Sequence, residues 1–266
     1  MNARTEREGP GGVELTIIAP MFNEAENVAE TCRRIREALA HFDKPWELIV
    51  VDDGSNDGSR QAAERQAASD QRIRLVGYPD HVGRGRALRE GFAAARGRFV
   101  VTIDFDLSYE PGHILRLHEA LSREDAPDIV LASAYMPGGA VEGVSWRRLL
   151  PSRLGNWLLR LAWPRRIYTS TCIVRGYRRE ALERLDLAGD DKEIHLEVLE
   201  RAFERGMRVV EIPARLRSRS RGKAKLAFPR TMLTHLAFLA RRRPWFFAAF
   251  GLVVLAAVVA AAILLF

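Results

Sequence analysis

The sequence predicts an α/β protein: a mostly parallel sheet with helices on both faces, plus interfacial helices and one C-terminal transmembrane helix. Three observations predict it. Between Leu15 and Ile103, short apolar runs alternate with amphipathic stretches, the pattern of strands and crossover helices that a parallel sheet needs. Acidic residues stand where those apolar runs stop, at Glu24, at Asp52 with Asp53, and at Asp104 with Asp106. The last 22 residues, Trp245 to Phe266, hold neither a charge nor a polar amide.

The elements follow in order. Leu15 to Ala19 is a buried strand that stops at Pro20. Asn23 to Ala40 has the helical period, with Val28, Ile35 and Leu39 on the inner face. Trp46 to Val51 is a second buried strand, which runs into the turn-rich segment Asp52 to Ser59 ahead of a helix at Arg60 to Ala68. Ile73 to Gly77 is a third strand, Ala87 to Ala95 a third helix, Phe99 to Ile103 a fourth strand and Ile129 to Ser133 a fifth. Leu149 to Trp163 is apolar on one side, through Leu150, Leu154, Trp157, Leu158 and Leu161, and is interrupted by Arg153 and Arg160. That pattern suits a helix lying in a membrane interface or one packed on the sheet. Leu226 to Leu239 is a further helix, leading into Arg241-Arg242-Arg243-Pro244.

Charge is concentrated beside the apolar tail. Ten Lys or Arg lie between Arg215 and Arg243 and no Asp or Glu follows Glu211, so the remainder of this +7 chain is net acidic. Basic residues flanking a span favour the cytoplasmic side and attract anionic headgroups. A helix over the 22-residue tail would be about 33 Å long at ~1.5 Å per residue, close to the thickness of a bilayer's hydrocarbon. The partner expected from this charge is a membrane and not nucleic acid, since nothing else in the chain resembles a nucleic-acid module. Met1 to Gly12 lacks the apolar core of a signal peptide, and Cys32 and Cys172 have no metal-ligand spacing.

Ligands of such sheets bind beyond the C-terminal ends of the strands. In an extended chain Asp104 and Asp106, two residues apart, point the same way and can face one cation; solvated or capping pairs of Asp look the same. Mg²⁺ or Mn²⁺ takes one or two carboxylates together with phosphate oxygens and water. Asp52-Asp53-Gly54-Ser55 is either turn chemistry or a carboxylate poised to accept from a nucleoside. In Pro20-Met21-Phe22-Asn23-Glu24, Phe22 is placed to stack on a base and Glu24 to reach the nucleoside, or Glu24 merely starts a helix. Gly83-Arg84-Gly85-Arg86 allows close backbone approach and offers guanidinium to phosphate, without the three spaced glycines of a dinucleotide fingerprint.

Taken together, Pro20 to Glu24, Val51 to Ser55, Gly83 to Gly85 with Gly91, and Asp104 to Asp106 resemble glycosyltransferase family 2, and within it the polyprenyl-phosphate glycosyltransferases of the dolichyl-phosphate mannose synthase group. The resemblance spans roughly residues 14 to 240 and implies a glycosyltransferase A-type, Rossmann-like catalytic domain at 14–225, after a flexible 1–13. A basic juxtamembrane helix at 226–243 and the span at 244–266 would follow, leaving the catalytic domain cytoplasmic. It implies that Pro20, Phe22, Glu24, Val51, Asp53 and Arg84 hold the nucleotide, and that Asp104 and Asp106 hold ribose, metal and diphosphate, Asp106 being the direct ligand. Arg219 and Lys225 would clamp phosphate, Glu197 would sit near the transferred sugar or on a solvated helix face, and Arg175 to Arg178 and His195 to Glu197 would line the acceptor side or bind diphosphate. The chain departs from the family's pattern at Ala134, where an arginine is usual, at Ser108, where a glutamine is usual, and at Cys172 to Val174, within Thr171 to Arg175, where Ser-Gly-Phe is usual.

The expected reaction is inverting transfer of a hexose, mannose or glucose, from a nucleoside-diphosphate sugar (GDP-mannose or UDP-glucose) to a membrane polyprenyl phosphate. A phosphate monoester is largely dianionic at pH 7 and needs no strong general base to attack. A hydroxyl acceptor on a glycolipid or envelope glycan would need one, such as Asp191 or Glu197. A non-catalytic membrane scaffold would have no use for Asp104 and Asp106.

Overall fold

The computed structural model describes residues 12–218, apart from 124 and 164–166, and helical positions 233, 236–237, 239–241, 244–245, 247–249 and 251. In chain order the strands are β1 (Leu15–Met21), β2 (Trp46–Asp53), β3 (Ile73–Tyr78), β4 (Phe99–Thr102), β5 (Ile129–Ser133), β6 (Ala140–Glu142), β7 (Arg175–Arg178), β8 (Val209–Pro213) and β9 (Arg215–Arg217). The helices are α1 (Val28–Ala38), α2 (Ser59–Ser69), α3 (Arg84–Ala94), α4 (Gly112–Ser122), α5 (Trp146–Ala162), α6 (Arg179–Glu183) and α7 (Ile194–Glu204).

The main sheet runs in the order β3-β2-β1-β4-β7-β5-β8, and β6 pairs with β9 in a small second sheet. All neighbours in the main sheet are parallel except β7, which lies antiparallel between β4 and β5. Helices cover both faces, and the register proves it. Ile18 pairs with Thr102 and Thr102 with Arg175, so these three share a face; Gly176, the next residue, belongs to the other. A Cβ on Gly91 of α3 would meet Ile18, whereas one on Gly176 would meet Leu117 and Leu121 of α4. The near-continuous apolar strands are what a doubly covered sheet requires: β2 is buried at all eight positions, Asp52 and Asp53 included.

Several boundaries differ from those the sequence suggests. α1 begins at Val28 rather than Asn23, because Asn23 turns the chain at φ 52° and residues 25–27 form turns. α3 begins at Arg84, ahead of the expected Ala87. β7 was not expected; its Arg175 is fully buried, and an arginine in the middle of a sheet breaks the apolar pattern that marks a strand. On α5 the apolar stripe faces outward: Trp146, Leu150, Leu154 and Trp157 are all more than half exposed, while Gly155, Asn156 and Leu159 face the core. The basic helix expected at Leu226 to Leu239 and the span at 244–266 fall largely outside the described residues, and no helix among the described residues is long and apolar enough to cross a membrane.

Candidate active site

The C-terminal ends of β1, β2, β3 and β4 meet at one edge, and the loops leaving them are tied to one another by side chains. Pro20 pairs with Val51 across β1 and β2, which sets these two predicted nucleotide residues side by side. The loop after β1 is stitched to the loop after β2: Asn23 N–H donates to Ser55 Oγ at 3.0 Å, Asn56 N–H to Asn23 Oδ1 at 2.9 Å, and Glu24 N–H to Ser59 Oγ at 2.7 Å. Glu24 turns its own carboxylate to Asn27, whose Nδ2 donates to Oε2 at 2.6 Å.

Asp53 organises the edge. Its Oδ1 accepts from Tyr78 Oη at 2.8 Å, from Val82 N–H at 3.0 Å and from Gly83 N–H at 3.1 Å, while Oδ2 lies 2.9 Å from His81 Nδ1. Burial, and then this bond to Asp53, hold the Tyr78 phenol far above its ordinary range. His81 also stacks flat on Phe22, ring centroids 3.8 Å apart and planes 15° from parallel. Tyr78 and His81 were not expected here. The signal was available, since Tyr78 ends the third parallel strand and His81 follows it at the same edge. Gly54 makes the close approach possible: at φ 69° a Cβ there would lie 2.4 Å from His81 N. Asp52, its neighbour, is internal, with Oδ1 accepting from Ser55 N–H at 3.1 Å and Oδ2 3.4 Å from Arg60.

Beyond β4, Asp104-Phe105-Asp106 is a turn and not the extended segment expected. Leu107 N–H donates to Asp104 O at 3.1 Å, Leu107 lies at φ 53°, and Phe105 is buried between the two acids. The carboxylates reach the edge by turn geometry rather than by strand alternation. Asp106 Oδ1 accepts the N–H of Ser108 at 2.9 Å and its hydroxyl as well, and Asp104 Oδ1 lies 3.4 Å from Arg84 Nη2. Tyr109 and Cys172 lie close enough to Asp104 for its charge to act on both; burial is the larger influence, pushing the Cys172 thiol up to about 11 and the Tyr109 phenol well above its usual range. Both are therefore neutral at pH 7 as the chain stands.

A chain with a mostly parallel sheet and two carboxylates just past a central strand matches known proteins along most of its length. The profile of glycosyl transferase family 2 matches residues 16–186. The chain belongs to that family. Among its relatives, the polyprenol monophosphomannose synthase of Mycolicibacterium smegmatis is 33% identical over 218 residues, 79% of this chain and 80% of the relative. The dolichol-phosphate mannosyltransferase of Pyrococcus furiosus is 30% identical over 236 residues, 88% of this chain and 64% of the relative. The fold is that of glucosyl-3-phosphoglycerate synthase from Mycobacterium tuberculosis, seen in complex with Mn²⁺, UDP-glucose and phosphoglyceric acid; at 22% identity the TM-score is 0.67, over 87% of this chain and 80% of that one.

As a family 2 chain, it brings Pro20, Phe22, Glu24, Val51, Asp53, Arg84, Asp104 and Asp106 to one edge, and it places others elsewhere. Arg219 and Lys225 lie outside the described residues. Arg175 does not face phosphate: it donates to the main-chain carbonyls of Cys172, His195 and Ser170 at 2.7, 3.0 and 2.7 Å. Arg178 likewise donates to Pro127 O and Leu121 O. Both arginines fasten β7, which corrects their expected phosphate role. Glu197 is not solvated; it is 3% exposed, with both oxygens on the N–H groups of Ala188 and Gly189.

The donor set fits a small hard cation. Among the described residues no group of three or more His, Cys, Asp or Glu gathers at one point, so Asp104 and Asp106 would be the protein's ligands to such a cation, with diphosphate oxygens and water completing its shell.

Proposed function

We propose that this chain transfers a hexose, with inversion, from a nucleoside-diphosphate sugar to the phosphate of a membrane polyprenyl phosphate, using Mg²⁺ or Mn²⁺. The observation that carries the reading is the pairing of Asp104 with Arg84 at the edge where Phe22 and Asp53 also stand. One end of that edge suits a nucleoside and the other a diphosphate. The names of the two relatives, polyprenol monophosphomannose synthase and dolichol-phosphate mannosyltransferase, support the acceptor and make mannose the first sugar to test.

In this reading Pro20, Val51, Phe22 and Asp53 hold the nucleoside, Arg84 binds diphosphate oxygen, and Asp104 and Asp106 hold the cation. The cation would stabilise charge on the departing diphosphate. Arg219 and Lys225 would add positive charge at the phosphates. Glu197 was a candidate for the sugar site; its two N–H partners favour a structural role instead. The exposed stripe of Trp146, Leu150, Leu154 and Trp157 supports contact with a membrane interface, in line with the apolar tail from Trp245 to Phe266 acting as anchor and the catalytic domain lying on the cytoplasmic side.

The test is a radiolabelled transfer assay in detergent, with GDP-mannose, UDP-glucose or UDP-N-acetylglucosamine and with polyprenyl phosphate present or absent. Lipid-extractable label that needs both cation and lipid phosphate, is lost in Asp106→Ala and survives in Asp191→Asn is the expected result. Donor hydrolysis without labelled lipid, or loss of transfer in Asp191→Asn, would move the acceptor to a hydroxyl. No turnover of any nucleotide sugar would refute the enzyme reading.

A further inference from the structure

The first turn of α3, which carries Arg84, is held from two sides by buried carboxylates. On one side Asp53 Oδ1 accepts Gly83 N–H at 3.1 Å. On the other stands a turn at 188–191 that Glu197 fastens from α7: Oε1 accepts Ala188 N–H at 3.0 Å and Oε2 accepts Gly189 N–H at 2.7 Å. That turn presents Asp190 O to Arg86 N–H at 3.0 Å, and the Asp190 side chain pairs with Arg89 one turn further along α3. The backbones touch. A Cβ on Gly85 would lie 2.4 Å from Gly189 O and 2.7 Å from Asp191 O, and one on Gly83 would lie 2.6 Å from Asp190 O. Arg84 sits between those two glycines, and its Nη2 is 3.4 Å from Asp104 Oδ1.

We propose that Glu197 is a positioning residue: by fixing the 188–191 turn against Gly83 and Gly85 it sets the height of α3's first turn, and so the reach of Arg84 toward Asp104 and the donor diphosphate. This rests on the donor site proposed above. A general base must reach a substrate proton with an open oxygen. Glu197 has both oxygens on main-chain donors, and its side chain is 5% exposed. Its influence therefore runs through packed backbone, where a displacement of about 1 Å at a charged contact can cost about 10²-fold in rate.

The experiment is a mutant cycle of wild type, Glu197→Gln, Arg84→Ala and the double variant, reading donor KM, kcat and the pH profile of kcat, with hydrogen exchange at residues 83–90 alongside. Gln keeps one acceptor and turns an NH₂ toward the second N–H, so the turn should loosen without a cavity. Expected are a donor KM raised about tenfold, a pH profile of unchanged shape, faster exchange of the Arg86 amide, and a double variant within about twofold of Arg84→Ala, as coupled positions require. Effects that multiply in the double variant, or loss of the acidic limb of the profile, would overturn the proposal. Arg89→Ala, a change at a partly buried residue of the same brace, covers the case in which Glu197→Gln does not fold: it should speed Arg86 exchange and raise donor KM about two- to threefold, a modest loosening by the same displacement logic, and normal values would refute the idea. If wild type turns over no donor, the proposed function fails, yet unchanged Arg86 exchange in the variants would still refute, and faster exchange still support, the brace.

Discussion

Asp53 is the residue whose removal tests the site's construction most directly. Asp53→Ala deletes the shared acceptor of Tyr78 Oη, Val82 N–H and Gly83 N–H, together with the partner of His81. Val82 is half exposed, so its N–H finds water; Gly83 is buried and Tyr78 partly so, and their donors are stranded. A stranded buried donor costs about 1–3 kcal/mol, so the loss of stability should be about 2–5 kcal/mol. With a urea m-value of about 2–3 kcal/mol/M, the midpoint should fall by about 1–2 M. Asp53→Asn keeps a carbonyl for the three donors but loses the charge and turns an NH₂ toward His81, so its midpoint should fall by less than half as much. The two variants should nevertheless weaken nucleoside-diphosphate binding alike, measured by calorimetry, if the carboxylate's charge is what the nucleoside or His81 needs. A midpoint for Asp53→Ala within about 0.2 M of wild type would refute the reasoning, because surface-like changes stay within about 0.5 kcal/mol.

Two further perturbations probe other parts of the molecule. Replacing Leu154 and Trp157, each more than half exposed on α5, by Ser should leave the unfolding midpoint unchanged while raising KM for a long-chain polyprenyl phosphate in vesicles about tenfold or more, given about 1.5–3 kcal/mol per large apolar side chain buried; an equal rise for a short, soluble acceptor would exclude membrane contact as the cause. Burial holds His118 below its ordinary 6.5, and it does the same to His113, so the unfolded chain takes up these protons first as pH falls. Stability is therefore full above about pH 6.5 and declines below it toward the folded-state values, and His118→Asn should shrink the difference between urea midpoints at pH 7.5 and 5.5.

The donor half of the site was legible because strand ends are. Apolar runs located β1, β2, β4 and β5 to within two residues or so, and the acids that follow them had to face the binding edge of a parallel sheet. What the sequence hides are contacts that depend on which loops meet. Nothing local to His81 says that it stacks on Phe22, and nothing local to Glu197 says that its partners are the N–H groups of residues 188 and 189. β7 was hidden for a different reason: the buried Arg175 is satisfied by three main-chain carbonyls, two from the loop just before it and one from His195 on α7, a compensation invisible in a stretch reading Arg-Gly-Tyr-Arg. On α5 the apolar period was visible, but its direction was not, since the same stripe serves a core or a bilayer.

The acids of this edge divide into two kinds, and the division bears on the acceptor. Asp52, Asp53 and Glu197 are buried and hold backbone; Glu24 is turned to Asn27. In the proposed site Asp104 and Asp106 would stand at the diphosphate end, where a pair of carboxylates suits a cation. Asp190 is occupied with Arg89, which leaves Asp191, exposed on the 188–191 turn, as the carboxylate a hydroxyl acceptor would have to recruit. A phosphate monoester has no such requirement, for it arrives already dianionic. What it does require is positive charge near the cation and a route from the bilayer. The basic segment from Arg215 to Arg243, most of it outside the described residues, would offer the first, and the outward Trp and Leu of α5 the second. A lipid phosphate thus accounts for the committed acids, the basic segment and the exposed helix face together, whereas a glycolipid hydroxyl would share the exposed helix face but still need Asp191 as its base.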